Sequence, residues 1–190
     1  MRNLIILISL TFCLQGCFFA AGAAAGAAGA VAVYDHRKLE KIVKDQTITK
    51  EISDKLMANH ALSEDCHVEV TTFNQIVLLT GETTTPEQRQ QAEEIARNNP
   101  EVTRIYNELT VKGPTSSLTR TSDSWITAKI KTTMLATQDL QSGTIKVVTE
   151  NGSVYLMGIV SHAQADMAVD IARKVSGVQR VVKIFNYTNQ

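Results

Sequence analysis

Apolar residues along this chain change period in a fixed order, and the order occurs twice. Ile48, Ile52 and Leu56 stand four apart, the spacing of one helical face. Val68-x-Val70 and Val77-x-Leu79 then alternate as half-buried strands do. A helical segment with Pro86 in its first turn runs to Arg97, and Val102–Val111 reads as a closing strand. The whole succession returns about 77 residues on, so an internal repeat is the first organising fact. Its second copy has Ile126, Ile130 and Met134, then Ile145-x-Val147 with Val154-x-Leu156, a helix from His162 to Val175, and a strand Val178–Tyr187. Ala92, Ile95 and Ala96 of the first copy match Ala168, Ile171 and Ala172 of the second. The pattern predicts an α+β protein of two tandem modules, 47–112 and 121–190. Each runs α-β-β-α-β, with a three-stranded sheet and two helices on one face.

Turn chemistry supports the division. Asn151-Gly152 between the second pair of strands is the strongest short hairpin signal. Gly81 and Gly158 fall inside strand patterns, where a bulge or a close backbone approach is the usual reason for glycine. Asp123 or Ser124 is placed to cap the first helix of the second module. Gly113-Pro114-Thr115-Ser116-Ser117 marks a linker, 113–120, between the modules.

The first 46 residues follow a different logic. Arg2, an apolar run from Leu4 to Leu14 and then small residues give the order of a secretory signal. The run is too short to cross about 30 Å of hydrocarbon as a helix. Leu14-Gln15-Gly16-Cys17 resembles the lipobox of bacterial lipoproteins. That resemblance implies removal of residues 1–16, a diacylglyceryl group on the Cys17 sulfur and an acyl chain on its amine. Phe18 stands where an Asp would signal retention on the inner membrane, which implies the periplasmic face of the outer membrane. Residues 17–46, rich in Ala and Gly and then charged, are expected to form a lipidated tether.

Lys plus Arg and Asp plus Glu both number 19, so the formal net charge is zero and no global attraction to nucleic acid is expected. With Cys13 in the signal and Cys17 lipidated, Cys66 has no disulfide partner. Cys66-His67 offers a thiol beside a base, but neighbours on a strand point to opposite faces. His36, His60, His67 and His162 lack metal-ligand spacing, and no phosphate-cradling glycine loop or serine elbow appears. The expectation is a non-enzyme with no metal and no cofactor beyond the covalent lipid on Cys17.

The repeat unit resembles the BON domain of bacterial outer-membrane-associated and nodulation proteins. The resemblance is carried by Val154-Tyr155-Leu156-Met157-Gly158 and by Ala168-x-x-Ile171-Ala172-x-x-Val175-x-Gly177-Val178-x-x-Val181. The first copy departs from it at Glu101, where the second has Gly177. Over the whole chain, the lipobox, Asp123-Ser124-Trp125-Ile126-Thr127 and Thr149-Glu150-Asn151-Gly152 resemble dual-BON outer-membrane lipoproteins. That resemblance implies binding of anionic phospholipids through the second module, enrichment at division sites and support of envelope integrity.

The two copies differ in a way that bears on this. The first helix of the second module carries Trp125, Lys129 and Lys131 where the first module has Thr47, Glu51 and Ser53. Tryptophan favours the headgroup level of a bilayer, and each lysine near an anionic surface is worth about 1 kcal/mol. Ile126 and Met134 are expected in the core, while Trp125, Lys129, Ile130, Lys131 and Leu135 are expected to approach the membrane. Phe73, beside the first hairpin, is placed either to dip into lipid or to pack against the other module. The alternative function is a protein-interaction module that takes an outer-membrane assembly protein on a sheet edge or between the modules.

Overall fold

The computed structural model describes residues 39–113 and 117–188. The signal, Cys17 and the segment up to residue 38 lie outside them. In the first module, α1 (Leu39–Met57) buries Ile42, Ile48, Ile52 and Leu56 along one face, as their spacing requires. A single turn, α2 (His60–Ser63), leads into the hairpin β1 (His67–Phe73) and β2 (Ile76–Thr83). Helix α3 (Pro86–Arg97) starts on a complete capping box between Thr85 and Gln88, with Pro86 in the first turn. The chain returns as β3 (Arg104–Asn107) and β4 (Thr110–Val111), both parallel to β2. The second module repeats this with α4 (Ser117–Ala136), β5 (Ile145–Glu150), β6 (Ser153–Val160), α5 (His162–Arg173) and β7 (Arg180–Tyr187). In each sheet the middle strand is antiparallel to the first and parallel to the last. The α+β fold of two tandem modules predicted from the sequence is the fold observed.

Some of the expected boundaries need correction. Residues 39–46, assigned to the tether, are helical, and Ile42 and Asp45 are buried there. Residues 117–120, assigned to the linker, already belong to α4. The closing strand of module one is interrupted at Glu108 and Leu109, because Leu109 turns into the helix-side core instead of keeping the ladder.

Asp123 does not cap a helix. It lies within α4, and its carboxylate accepts the backbone N–H groups of Asn151 and Gly152 at 2.8 and 2.9 Å. Asp45 does the same from α1, accepting from Asn74 and Gln75 at 2.7 and 2.9 Å. Both hairpin turns have two residues at positive φ, Asn74 and Gln75 at 50° and 63°, Asn151 and Gly152 at 48° and 70°. Such a turn aims successive N–H groups the same way, and the buried aspartate answers them. A second tie repeats beside it: Thr49 to Thr72 at 2.8 Å and Thr127 to Thr149 at 2.7 Å. Each first helix is therefore pinned to its own hairpin by polar contacts as well as by packing.

Gly81 lies at φ +109°, and a side chain there would meet the His67 carbonyl oxygen at 2.0 Å. A β-carbon on Gly158 would stand 2.9 Å from the Thr144 carbonyl oxygen, so both strand glycines mark close backbone approaches.

The helices of each module cover one face of its sheet, and the two sheets cover each other. Val77 and Leu79 face α1 and α3, while Ile76 and Leu78, on the other side of the same strand, meet the second module. Val154 and Leu156 face α4 and α5, while Tyr155 and Met157 meet the first. Phe73 and Ile184 complete this third core, and Phe73 is only 3% exposed. Of the two roles open to it, Phe73 has the packing role; it has no surface to offer lipid. Lys146 Nζ donates to the Thr72 carbonyl at one end of the interface, 3.1 Å away. At the other end the Asn151 side chain reaches Glu82, and Arg180 reaches Glu108 at 3.0 Å. The hairpin tips of the two modules consequently point in opposite directions. The result is four layers, helices–sheet–sheet–helices.

Replacing Asp123 by Ala removes an acceptor and leaves two turn N–H groups without it. Asp123→Ala is expected to destabilise the protein by about 3 kcal/mol, and Asp45→Ala by a similar amount. Chemical denaturation measures this, and losses under about 0.5 kcal/mol, the range of ordinary surface changes, would show that the turns hold themselves.

Candidate functional site

Helix α4 has two sides with different work. Ile126, Ile130 and Met134 fill the core of the second module, with Asp123 among them. The opposite side carries Trp125, Ala128, Lys129, Thr132 and Leu135, all exposed to solvent. At 3.6 residues per turn, Trp125, Lys129 and Thr132 line up, with Leu135 and Ala128 flanking them. Trp125 is 55% exposed and Leu135 61%, so two large apolar side chains stand out on this helix without neighbours to cover them. A solvent-facing tryptophan is an unusual expense in a domain whose cores are otherwise closed.

The structure therefore brings three of the residues expected at the membrane together and sets two apart. Trp125, Lys129 and Leu135 share the outer strip. Ile130 is 0% exposed and belongs to the core, because it continues the four-residue spacing of Ile126 and Met134. Lys131 lies on the flank of the helix, half-buried, and burial lowers its ammonium from the ordinary lysine value. It is not on the strip with Trp125. The equivalent surface of α1 carries Thr47, Lys50, Glu51, Asp54 and Met57. Met57, like Leu135, is exposed, but the aromatic ring has no counterpart, and the lysine of this surface is paired with Asp54 at 2.6 Å.

The thiol and imidazole flagged as chemical candidates serve different neighbours. Cys66 Sγ lies 3.8 Å from the Ala61 carbonyl oxygen, while His67 Nε2 is 3.6 Å from Glu69. Among the described residues no cluster of three His, Cys, Asp or Glu side chains could hold a metal ion. Nor is any described helix long and apolar enough to cross a membrane.

Residues 44–113 and 122–189 match the BON domain. The chain belongs to the BON-domain family. Across 187 residues it is 33% identical to the outer membrane lipoprotein DolP of Haemophilus influenzae, covering 98% of this chain and 96% of that protein. It is 36% identical over 153 residues to a 21 kDa hemolysin of Actinobacillus pleuropneumoniae, covering 80% and 79%. The osmotically-inducible protein Y of Escherichia coli is 30% identical over 147 residues, covering 76% and 73%. The full-length likeness makes this a DolP-like BON lipoprotein of the outer membrane, and none of these relatives bears an enzyme's name.

Within the BON frame the two copies solve one turn differently. Gly177 adopts φ +92°, where a side chain would be strained, and a β-carbon there would crowd Ile126 Cδ1 at 3.0 Å. The first module has Glu101 there, and Asn99 organises the turn by accepting from the Glu101 N–H and donating to Glu51. The Gln75 side chain adds a bond to the Glu101 carbonyl. The BON fold thus survives the loss of this glycine by replacing backbone freedom with side-chain hydrogen bonds.

Sequence reasoning missed the two buried aspartates and the sheet-to-sheet interface, though both left signals. Asp45 and Asp123 occupy the same repeat position. Ile76-Val77-Leu78-Leu79 and Val154-Tyr155-Leu156-Met157 are unbroken apolar runs, the mark of strands buried on both faces.

The division of α4 has a stability signature. Trp125→Ala is expected to change unfolding free energy by less than about 0.5 kcal/mol, as at other exposed sites. Ile130→Ala is expected to cost about 2–5 kcal/mol. Equal losses in chemical denaturation would place Trp125 in a packed environment.

Proposed function

We propose that this BON lipoprotein is anchored through acyl chains on Cys17 to the periplasmic face of the outer membrane, and that the outer strip of α4 reads anionic phospholipid headgroups there. The observation that carries the reading is the exposure of Trp125 and Leu135 around Lys129 on a helix whose other side is core. An indole half in water suits the headgroup level, where its ring and its N–H find different partners. Lys129 adds about 1 kcal/mol near an anionic surface. Such contacts make a weak binder in free solution, but an anchor that holds the module beside the bilayer raises their effective concentration. Adhesion then comes from the acyl chains, at about 0.8 kcal/mol per buried methylene, and lipid choice comes from the helix. Through the resemblance to dual-BON lipoproteins, the reading extends to support of envelope integrity and enrichment at division sites.

The alternative, a protein-interaction module, loses one of its two surfaces. The region between the modules is filled by Phe73, Leu78, Tyr155 and Met157.

A chain beginning at residue 18, mixed with vesicles, tests the reading. Binding is expected to require anionic lipid and to weaken as salt rises. Trp125→Glu is expected to abolish binding with an unchanged circular dichroism spectrum, and Lys129→Glu to weaken it about thirtyfold at low salt and less at high salt. Equal weak binding to neutral vesicles would sink the lipid reading. Separately, Cys17→Ala in the full chain is expected to abolish retention in the membrane fraction while the folded part keeps its lipid preference. Retention of that variant would refute the anchor.

A further inference from the structure

One end of the interface between the sheets gathers acidic side chains from both modules. Glu82, near the end of β2, is fully buried, and Glu150, at the end of β5, is 8% exposed. The Asn151 side-chain amide donates to both, at 2.5 Å to Glu82 Oε1 and 3.1 Å to Glu150 Oε1. Two carboxyl groups from different modules thus converge on one neutral side chain. Glu69 of β1 and Asp123 of α4 add negative charge around Glu150, and Arg120 of α4 opposes it. On the Glu82 side, Lys112 beyond β4 has its Nζ 3.8 Å away, and His67 of β1 is the cross-strand neighbour of Glu82, with its own Nε2 3.6 Å from Glu69. An open cleft of about 400 Å³, lined by Glu69, Arg120, Asp123, Thr127 and Glu150 among others, brings water to this end.

We propose that the interface between the two BON modules is closed by a proton on Glu150, so that the coupling of the modules responds to pH. With Glu150 neutral, the cluster holds one negative charge fewer, and its hydroxyl supplies a donor where several acceptors converge. With Glu150 ionised, it repels Glu82, Glu69 and Asp123 at short range in a partly dry site. Burial first, then the charges of Glu82, Glu69 and Asp123, push the Glu150 carboxyl up to about 7 from its ordinary 4.5. A raised pKa means that the folded state holds the proton more tightly than the unfolded chain does. The stability from this group is therefore complete below about pH 4.5, drains away as pH rises, and is gone above about pH 7. The turn that carries Asn151 is also the one held by Asp123, so the proton acts at the base of α4 as well as at the first module. This inference does not depend on what α4 binds.

The test uses the full chain in nonionic detergent micelles, with thermal unfolding followed from pH 4 to pH 8 for wild type and Glu150→Gln. The glutamine stands for the neutral acid at every pH. The stability gap between the two is expected to widen from pH 4 to about pH 7 in favour of Glu150→Gln, by tenfold or more in the folding equilibrium, and then to level off. A gap that stays constant over this range overturns the proposal. Carbon-13 titration of the Glu150 carboxyl in wild type gives a second readout that needs no variant. A midpoint well above the ordinary glutamate range is expected, and one near 4.5 overturns the proposal. Glu82→Gln is expected to lower that midpoint, and an unmoved midpoint refutes the coupling across the interface.

Discussion

Each module has a middle strand that is apolar on both faces, and a two-layer unit can cover only one of them. In β2, Val77 and Leu79 are sealed by α1 and α3, which leaves Ile76 and Leu78 on a bare sheet. In β6, the same division leaves Tyr155 and Met157 uncovered. Full burial of one such side chain is worth about 1.5–3 kcal/mol, so an open sheet face would forfeit several times that and present a sticky patch. Stacking the two sheets removes both problems at once. Much else follows from this constraint. It places Phe73 between the modules, directs both pairs of helices outward, and so leaves α4 and α5 on the outer side of the second module.

Most of the fold was legible because it rests on period. The four-residue spacing of Ile126, Ile130 and Met134 and the alternation of Val154 and Leu156 locate helix, strands and core without any knowledge of the partner layers. The same rule identifies Ile130 as core, and assigning it to the membrane gave weight to local chemistry over periodicity. What period cannot supply is the partner of a strand's second face. The run Ile76-Val77-Leu78-Leu79 says that both faces are buried, but not by what. Nor can it foresee an aspartate within a helix that answers two turn amides, since that bond joins residues almost thirty positions apart. Trp125 was legible as an oddity from the comparison of copies, and its exposure required the packed structure.

The two copies keep one frame and spend its surfaces differently. Asp45 and Asp123, and the threonine pairs beside them, are retained in both because they fix the first helix to the hairpin. Away from those ties the copies diverge. The first module gives up a turn glycine for Glu101 and rebuilds the turn around Asn99, whereas the second keeps Gly177 and places Trp125 on its helix. Polar pairs at the rim of the interface, such as Arg180 with Glu108, then set the register of a contact whose centre is apolar and non-directional.

The four-layer order also sets how far apart the two helical surfaces stand. Leu39 opens the helical layer of the first module, and α4 lies in the helical layer on the opposite side. With layers about 10 Å apart, those two outer surfaces are separated by roughly 30–40 Å. One flat surface therefore cannot touch α1 and α4 together, and whatever lies against one helical layer leaves the other facing away from it.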